Sequence, residues 1–142
     1  FRIADRTVYQ QLAGKGTGFQ MYCGYTDNKV GLAVGTSSTA TNAYFVTGEG
    51  GTITNDTWHH VATVKNGTSY KLYLDGTAVI SGTSASNVVT GTQSWVVGAY
   101  KLNGASAAGY TNGYIDEFRV SKFARYTANF TAPSAAFADK GQ

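Results

Sequence analysis

The 142-residue chain holds one cysteine and one proline, charged residues make up only 13% of it, and it has no long apolar run. With Cys23 alone no intrachain disulfide can form, so packing and hydrogen bonds must hold the fold, and the thiol reads as buried and inert. So little charge leaves Thr, Ser, Asn and Gly to cover the solvated face, which is a strand-and-loop surface and not a helical one. The net charge of +3 is scattered over residues such as Arg2, Lys29, Lys71 and Arg119 without a basic run, so no nucleic-acid partner is expected. No stretch approaches the roughly 20 apolar residues of a membrane span, and no basic-then-apolar leader opens the chain; membrane insertion is not expected.

Eighteen glycines, ten tyrosines and seven phenylalanines supply the turn residues and aromatics that many short strands need. FRIADR reads as the end of a strand, so a preceding strand or region is expected N-terminal to Phe1. YQQLAGKG and GFQMYCGYT read as two strands around the Gly14 to Gly18 turn, and KVGLAVG repeats the alternation with Val30, Leu32 and Val34. A loop is expected from Thr36 to Ala43, and AYFVTG reads as a further strand. TWHHVATV, SYKLYLDG and TAVIS, separated by Asn66-Gly67 and Asp75-Gly76, predict a three-stranded antiparallel meander from Trp58 to Ser81. SWVVGAY and GYIDEFRVS read as later strands around a Gly/Ala/Ser loop. KFARYTANFTAP predicts one short helical turn before Pro133, and residues 134–142 a tail.

Strands about every 8 to 12 residues without a helical period predict one all-β domain over residues 1–142. Its form is a two-sheet antiparallel β-sandwich, most simply a jelly roll. The spacing of TWHHVATV, KLYLDGTAV, WVVGAY and GYIDEFRVSKFARYTANFTAP resembles the concanavalin A-like lectin/glucanase superfamily in its laminin-G-like branch. Within that branch the ending IDEFRVSKFARYTANFTAP is similar to domains of bacteriophage tail fibres and other virion appendages. The resemblance implies a place on a virion surface, outside the cell, a host cell-surface glycan or other virion proteins as partners, and a homo-oligomer such as a trimer.

Glucanases of the superfamily carry two carboxylates at alternate strand positions, because an acid and a nucleophile must flank one glycosidic bond. Here Asp116 and Glu117 are adjacent, so on a strand they face opposite sides, and no enzymatic activity is expected. His59 and His60 have no Ser, Cys or carboxylate at a spacing that completes a triad or a metal trio; one is expected beneath the sandwich beside Trp58 and the other in solvent. Asp116 has two readings. The resemblance implies a structural Ca²⁺ ligand, which would need about 6 to 8 oxygens with the rest drawn from N-terminal strands. The plainer reading is a carboxylate that pairs with Arg119 or Arg125 or accepts backbone hydrogen bonds.

Aromatic rings at strand ends can stack on the apolar face of a sugar while neighbouring amides fix its hydroxyls. Tyr25, Tyr44, Trp95, Tyr100 and Tyr110 occupy such places; Trp95 and Tyr44 are expected in the core. Tyr100 and Tyr110 flank the Leu102 to Gly109 loop and, with Asn103, form the expected ligand-facing set. Three functions fit: a non-catalytic lectin-like adhesion module, a structural or decoration domain that docks on virion proteins without binding sugar, and a carbohydrate-binding module of a larger bacterial enzyme.

Overall fold

The computed structural model describes residues 1–35, 44–88, 92–100 and 107–137 and contains no helix among them. Its strands are β1 (Arg2–Ile3), β2 (Gln10–Lys15), β3 (Phe19–Cys23), β4 (Val30–Gly35), β5 (Tyr44–Gly50), β6 (Val61–Asn66), β7 (Ser69–Leu74), β8 (Thr77–Thr83), β9 (Val96–Val97) and β10 (Gly113–Tyr114). They form a five-stranded sheet in the order β5-β4-β3-β2-β9, a three-stranded sheet β6-β7-β8, and a two-stranded ribbon β1-β10. Every strand pairing is antiparallel.

Turn chemistry sets the three-stranded sheet. Asp75 and Gly76 both have positive φ (50° and 83°), as a type I′ turn between Leu74 and its partner Thr77 requires. At Gly76 the need is also steric, since an added methyl would overlap the Phe130 carbonyl. The β6–β7 turn is Gly67-Thr68, with Asn66 facing Ser69 as the last rung. It lies one residue later than the Asn-Gly dipeptide predicts, because Asn66 belongs to the ladder. The sheet begins at Val61, not Trp58: His59 bonds Phe1 instead, backbone to backbone, in both directions at 2.8 Å, while the His60 carbonyl still accepts the Asp75 N–H at 2.8 Å.

The core follows from strand parity. On β4, Val30, Leu32 and Val34 point inward beside Leu12 and Cys23 and meet Tyr70, Leu72, Leu74 and Ile80 of the other sheet. Each such aliphatic side chain contributes about 1.5–3 kcal/mol by leaving water. The opposite face of β4 then carries only Gly31, Ala33 and Gly35. Close approach of the sheets needs small residues as well: a methyl on Gly82 would press Val46 at 2.8 Å.

Two C-terminal expectations are corrected. Of GYIDEFRVS only Gly113–Tyr114 is strand, because Glu117 has φ 53° and its N–H is held by the Asp116 carboxylate at 2.8 Å. The stretch before Pro133 has no helical turn. It is an extended latch: Phe130 N–H donates to Gly76 O (2.9 Å), and Asn129 Oδ1 accepts from Ala78 N–H (3.0 Å). Tyr126 stacks on Phe130 at 3.6 Å and 7°, and both rings lie against the fully buried Tyr73. Phe137 is drawn in as well, edge-on to His60 and beneath the Arg119 guanidinium.

Candidate functional site

Since Leu32, Cys23 and Val46 point inward, the outer face of the five-stranded sheet is made by their strand neighbours. Register places Gln11, Tyr22, Gly31 and Glu49 in one row across four strands, and Gln20, Ala33 and Thr47 in the next. This is a face of rings and amides with a trough of small residues on β4. The Tyr22 ring lies over Gly31 so closely that a methyl there would overlap it. Tyr9 and Tyr25 complete a three-ring cluster with Tyr22, at centroid distances of 5.5 Å (Tyr9–Tyr22), 6.4 Å (Tyr9–Tyr25) and 6.3 Å (Tyr22–Tyr25).

The amides hold the phenols in place. Tyr9 OH donates to Gln11 Oε1 at 2.5 Å, and Gln11 Nε2 donates to Ala13 O at 2.7 Å, so this fully buried side chain is satisfied. Gln20 Nε2 donates to Tyr44 OH at 2.9 Å. Burial, then the neighbouring phenols of Tyr100, Tyr22 and Tyr44, push the Tyr9 hydroxyl well above its ordinary value. Burial, then the Glu49 charge, push Tyr22 up to about 12. Both stay protonated at neutral pH and act as hydrogen-bonding groups. Glu49 spends one oxygen on the Thr26 N–H (3.0 Å) and the other on the Thr26 hydroxyl.

Tyr100 belongs to this face. It exchanges backbone hydrogen bonds with Ala108 (2.7 and 2.8 Å), and Gly109 sits between its Cβ and the Tyr9 ring. Tyr110 is 64% exposed and makes no ring contact among the described residues, whereas Tyr100 lies beside Gly109, which also meets the Tyr9 ring. Asn103 lies outside the described residues. Tyr25 stands at the rim, 75% exposed. Tyr44 is half-buried on the same face and not in the core. Tyr9, Tyr22, Gln11 and Gln20 were not singled out from the sequence; the signal was Gln20-x-Tyr22 on β3 beside Gly31-x-Ala33-x-Gly35 on β4.

The other predicted residues lie elsewhere. Asp116 Oδ1 accepts the Glu117 N–H and pairs with neither Arg119 nor Arg125; Arg125 donates to Ser121 Oγ instead, at 2.5 Å. Among the described residues no three His, Cys, Asp or Glu side chains converge to hold a metal. Both histidines are half-buried, and neither stands free in solvent as one of them was expected to. His59 Nε2 accepts the Thr54 N–H (3.0 Å), which leaves the proton on Nδ1 to donate to Asp75 Oδ2 (2.7 Å). His60 lies edge-on to Tyr126 and Phe130. Trp95, expected in the core, is 42% exposed on the wall of a groove of about 890 Å³ between the two larger sheets, edge-on to Phe19 and Phe118.

A laminin G family model described as concanavalin A-like lectin/glucanases superfamily matches residues 1–129. No curated protein sequence matches the chain. Among solved structures it is similar to an S-layer domain-containing protein (residues 221–444) from Clostridium thermocellum ATCC 27405, with 22% identity and a TM-score of 0.45. The match covers 87% of this chain but only 62% of that one.

Proposed function

Because the chain belongs to the concanavalin A-like lectin/glucanase superfamily, we propose that it is a non-catalytic glycan-binding module whose binding face is the outer side of the five-stranded sheet. The observation that carries this is the Tyr9–Tyr22–Tyr25 cluster, backed by buried amides that orient the phenols and rimmed by an exposed ring. Tyr25 and Tyr9 offer stacking surface to a sugar ring, and the hydroxyls of Tyr44 and Tyr100 offer polar contacts from the same face. Glu49, the carboxylate of this face, has both oxygens engaged by Thr26, so it serves in this reading to hold the rim in place. A module of this kind acts by adhesion. The setting we propose is extracellular, on a surface appendage such as a virion's, with host surface glycan as partner; only the ending at residues 115–133 supports the virion.

The test is a glycan array probed with the wild-type chain and with Tyr25→Ala, each checked by circular dichroism. Wild type is expected to retain a glycan, and removal of the exposed ring to weaken that binding by about tenfold, as loss of a stacked aromatic worth ~1.4 kcal/mol would. If no glycan is retained, or if retention survives Tyr25→Ala unchanged, the face is not a sugar site.

A further inference from the structure

We infer that the groove beside β6 is a strand slot whose occupant is the stretch of polypeptide leading into Phe1, extended in line with β1 and hydrogen-bonded to both walls. β1 already has this arrangement. One of its edges pairs with Gly113–Tyr114 and the other bonds Asp56 and His59, so at this level one strand lies between the two walls. Beyond Phe1 the walls continue as residues 115–120 on one side and 61–65 on the other, and both line the groove of about 890 Å³. On the outer side the Phe137 ring spans them, 6.5 Å from the His60 ring and 3.7 Å beneath the Arg119 guanidinium.

The hydrogen-bonding phase of the walls fits a strand that continues β1. Phe1 and His59 exchange backbone hydrogen bonds at 2.8 Å in both directions, which makes them a hydrogen-bonded pair of an antiparallel ladder. Such pairs recur at every second residue, so the second, fourth and sixth residues ahead of Phe1 meet Val61, Thr63 and Lys65. Those are the residues of β6 whose peptide groups point into the groove. The bond from Asp75 N–H to His60 O (2.8 Å) gives Ala62, Val64 and Asn66 to β7 and leaves their neighbours facing away from it. None of the groups facing away has a partner among the described residues. On the other wall, from Ile115 to Val120, the one backbone group engaged is the Glu117 N–H, held by Asp116. Two rows of unpaired peptide groups along one groove are disfavoured wherever water is displaced, and proteins cover such edges.

The side chains fit as well. Phe1 and Ile3 are buried in the core, so alternate residues ahead of them face inward too. There the slot is bordered by Val61, which packs against the core, and by Phe118 and Val120, which are 44% and 49% exposed. An occupant with apolar side chains at the second, fourth and sixth positions ahead of Phe1 covers this surface. It also joins the β1–β10 ribbon to β6, so that one five-stranded sheet, β10-β1-β6-β7-β8, faces the other, β5-β4-β3-β2-β9.

The test is amide hydrogen exchange, followed by NMR, on the 142-residue chain and on two versions extended ahead of Phe1. One extension is Val-Thr-Val-Thr-Val-Thr, which turns its valines inward; the other, Thr-Val-Thr-Val-Thr-Val, has the same composition in the opposite phase. The amides of Val61, Thr63 and Lys65 are expected to exchange freely in the unextended chain. With the first extension they are expected to slow by at least about 100-fold while those of β3 stay unchanged, and with the second to gain less than about a tenth of that protection. Equal protection by both extensions overturns the slot, as does none by the first in a chain whose β3 amides remain protected. Slow exchange at the three amides without any extension overturns it too. So does protection that rises with protein concentration, which would assign the groove to a second copy.

Discussion

At the scale of single residues, the sharpest feature is the buried aromatic cluster beneath the C-terminal latch. Tyr73 is wholly buried, yet its hydroxyl has no hydrogen-bond partner among the described residues. A buried hydroxyl without a partner loses its hydration for nothing in return. Tyr73→Phe is therefore expected to leave stability unchanged or raise it by up to ~1 kcal/mol, measured by urea unfolding; a loss above that would reveal a partner for the hydroxyl. His60 lies in the same cluster. Burial holds its imidazole below the ordinary value of 6.5, and Asp75 only partly opposes this. As pH falls through 6.5 the unfolded chain takes up a proton that the folded chain refuses, so this contribution is intact above 6.5 and is lost below it. The melting temperature is expected to decline from pH 7 to pH 5, and His60→Phe, which keeps the ring contacts, to flatten that decline.

At the scale of elements, the latch and the turn it clasps act as one unit. Gly76 cannot bear a side chain because Phe130 O lies against it, and Phe130 closes over Tyr73. Gly76→Ala and Phe130→Ala are each expected to cost about 2–4 kcal/mol by chemical denaturation, and the double variant less than their sum because both loosen the same contact. Elements with a strong local signal were legible in the sequence. The Asp75-Gly76 turn and the alternation of β3, β4 and β7 each state a strand or its end in a few residues. What was not legible depends on contacts far along the chain. Glu117 interrupts an otherwise regular alternation because its carboxylate accepts the Phe137 N–H (2.7 Å), and the run to Pro133 is extended because Asn129 and Phe130 bond the β7–β8 turn. The tyrosine face was hidden for a related reason: Gln10, Gln11 and Leu12 are all buried, so β2 shows no alternation of polarity from which its outer side can be read.

At the scale of the molecule, cohesion rests on the two-sheet core. Calcium is expected to add little, because the Asp116 carboxylate is already bonded to its neighbour's amide. A site with Kd of ~10 µM would add about 2.7 kcal/mol at ~1 mM free ion and raise the melting temperature by several degrees. The expected shift between calcium and chelator is below about 1 °C by calorimetry, and a larger one would mean that Asp116 gathers ligands after all.

The antiparallel rungs Arg2–Tyr114 and Ile3–Gly113 tie together segments from opposite ends of the described chain, and the Thr111 hydroxyl donates to Gln11 O across 100 residues. Such contacts form only after a long loop has been closed, which places folding in the slow, millisecond-to-second class typical of all-β proteins. On a ribosome the hairpins β2–β3 and β6–β7 can close as they emerge, while β1 waits for most of the remaining chain to be made. Until then the aliphatic side of the five-stranded sheet stands uncovered, and the nascent chain is most open to misassociation in that interval.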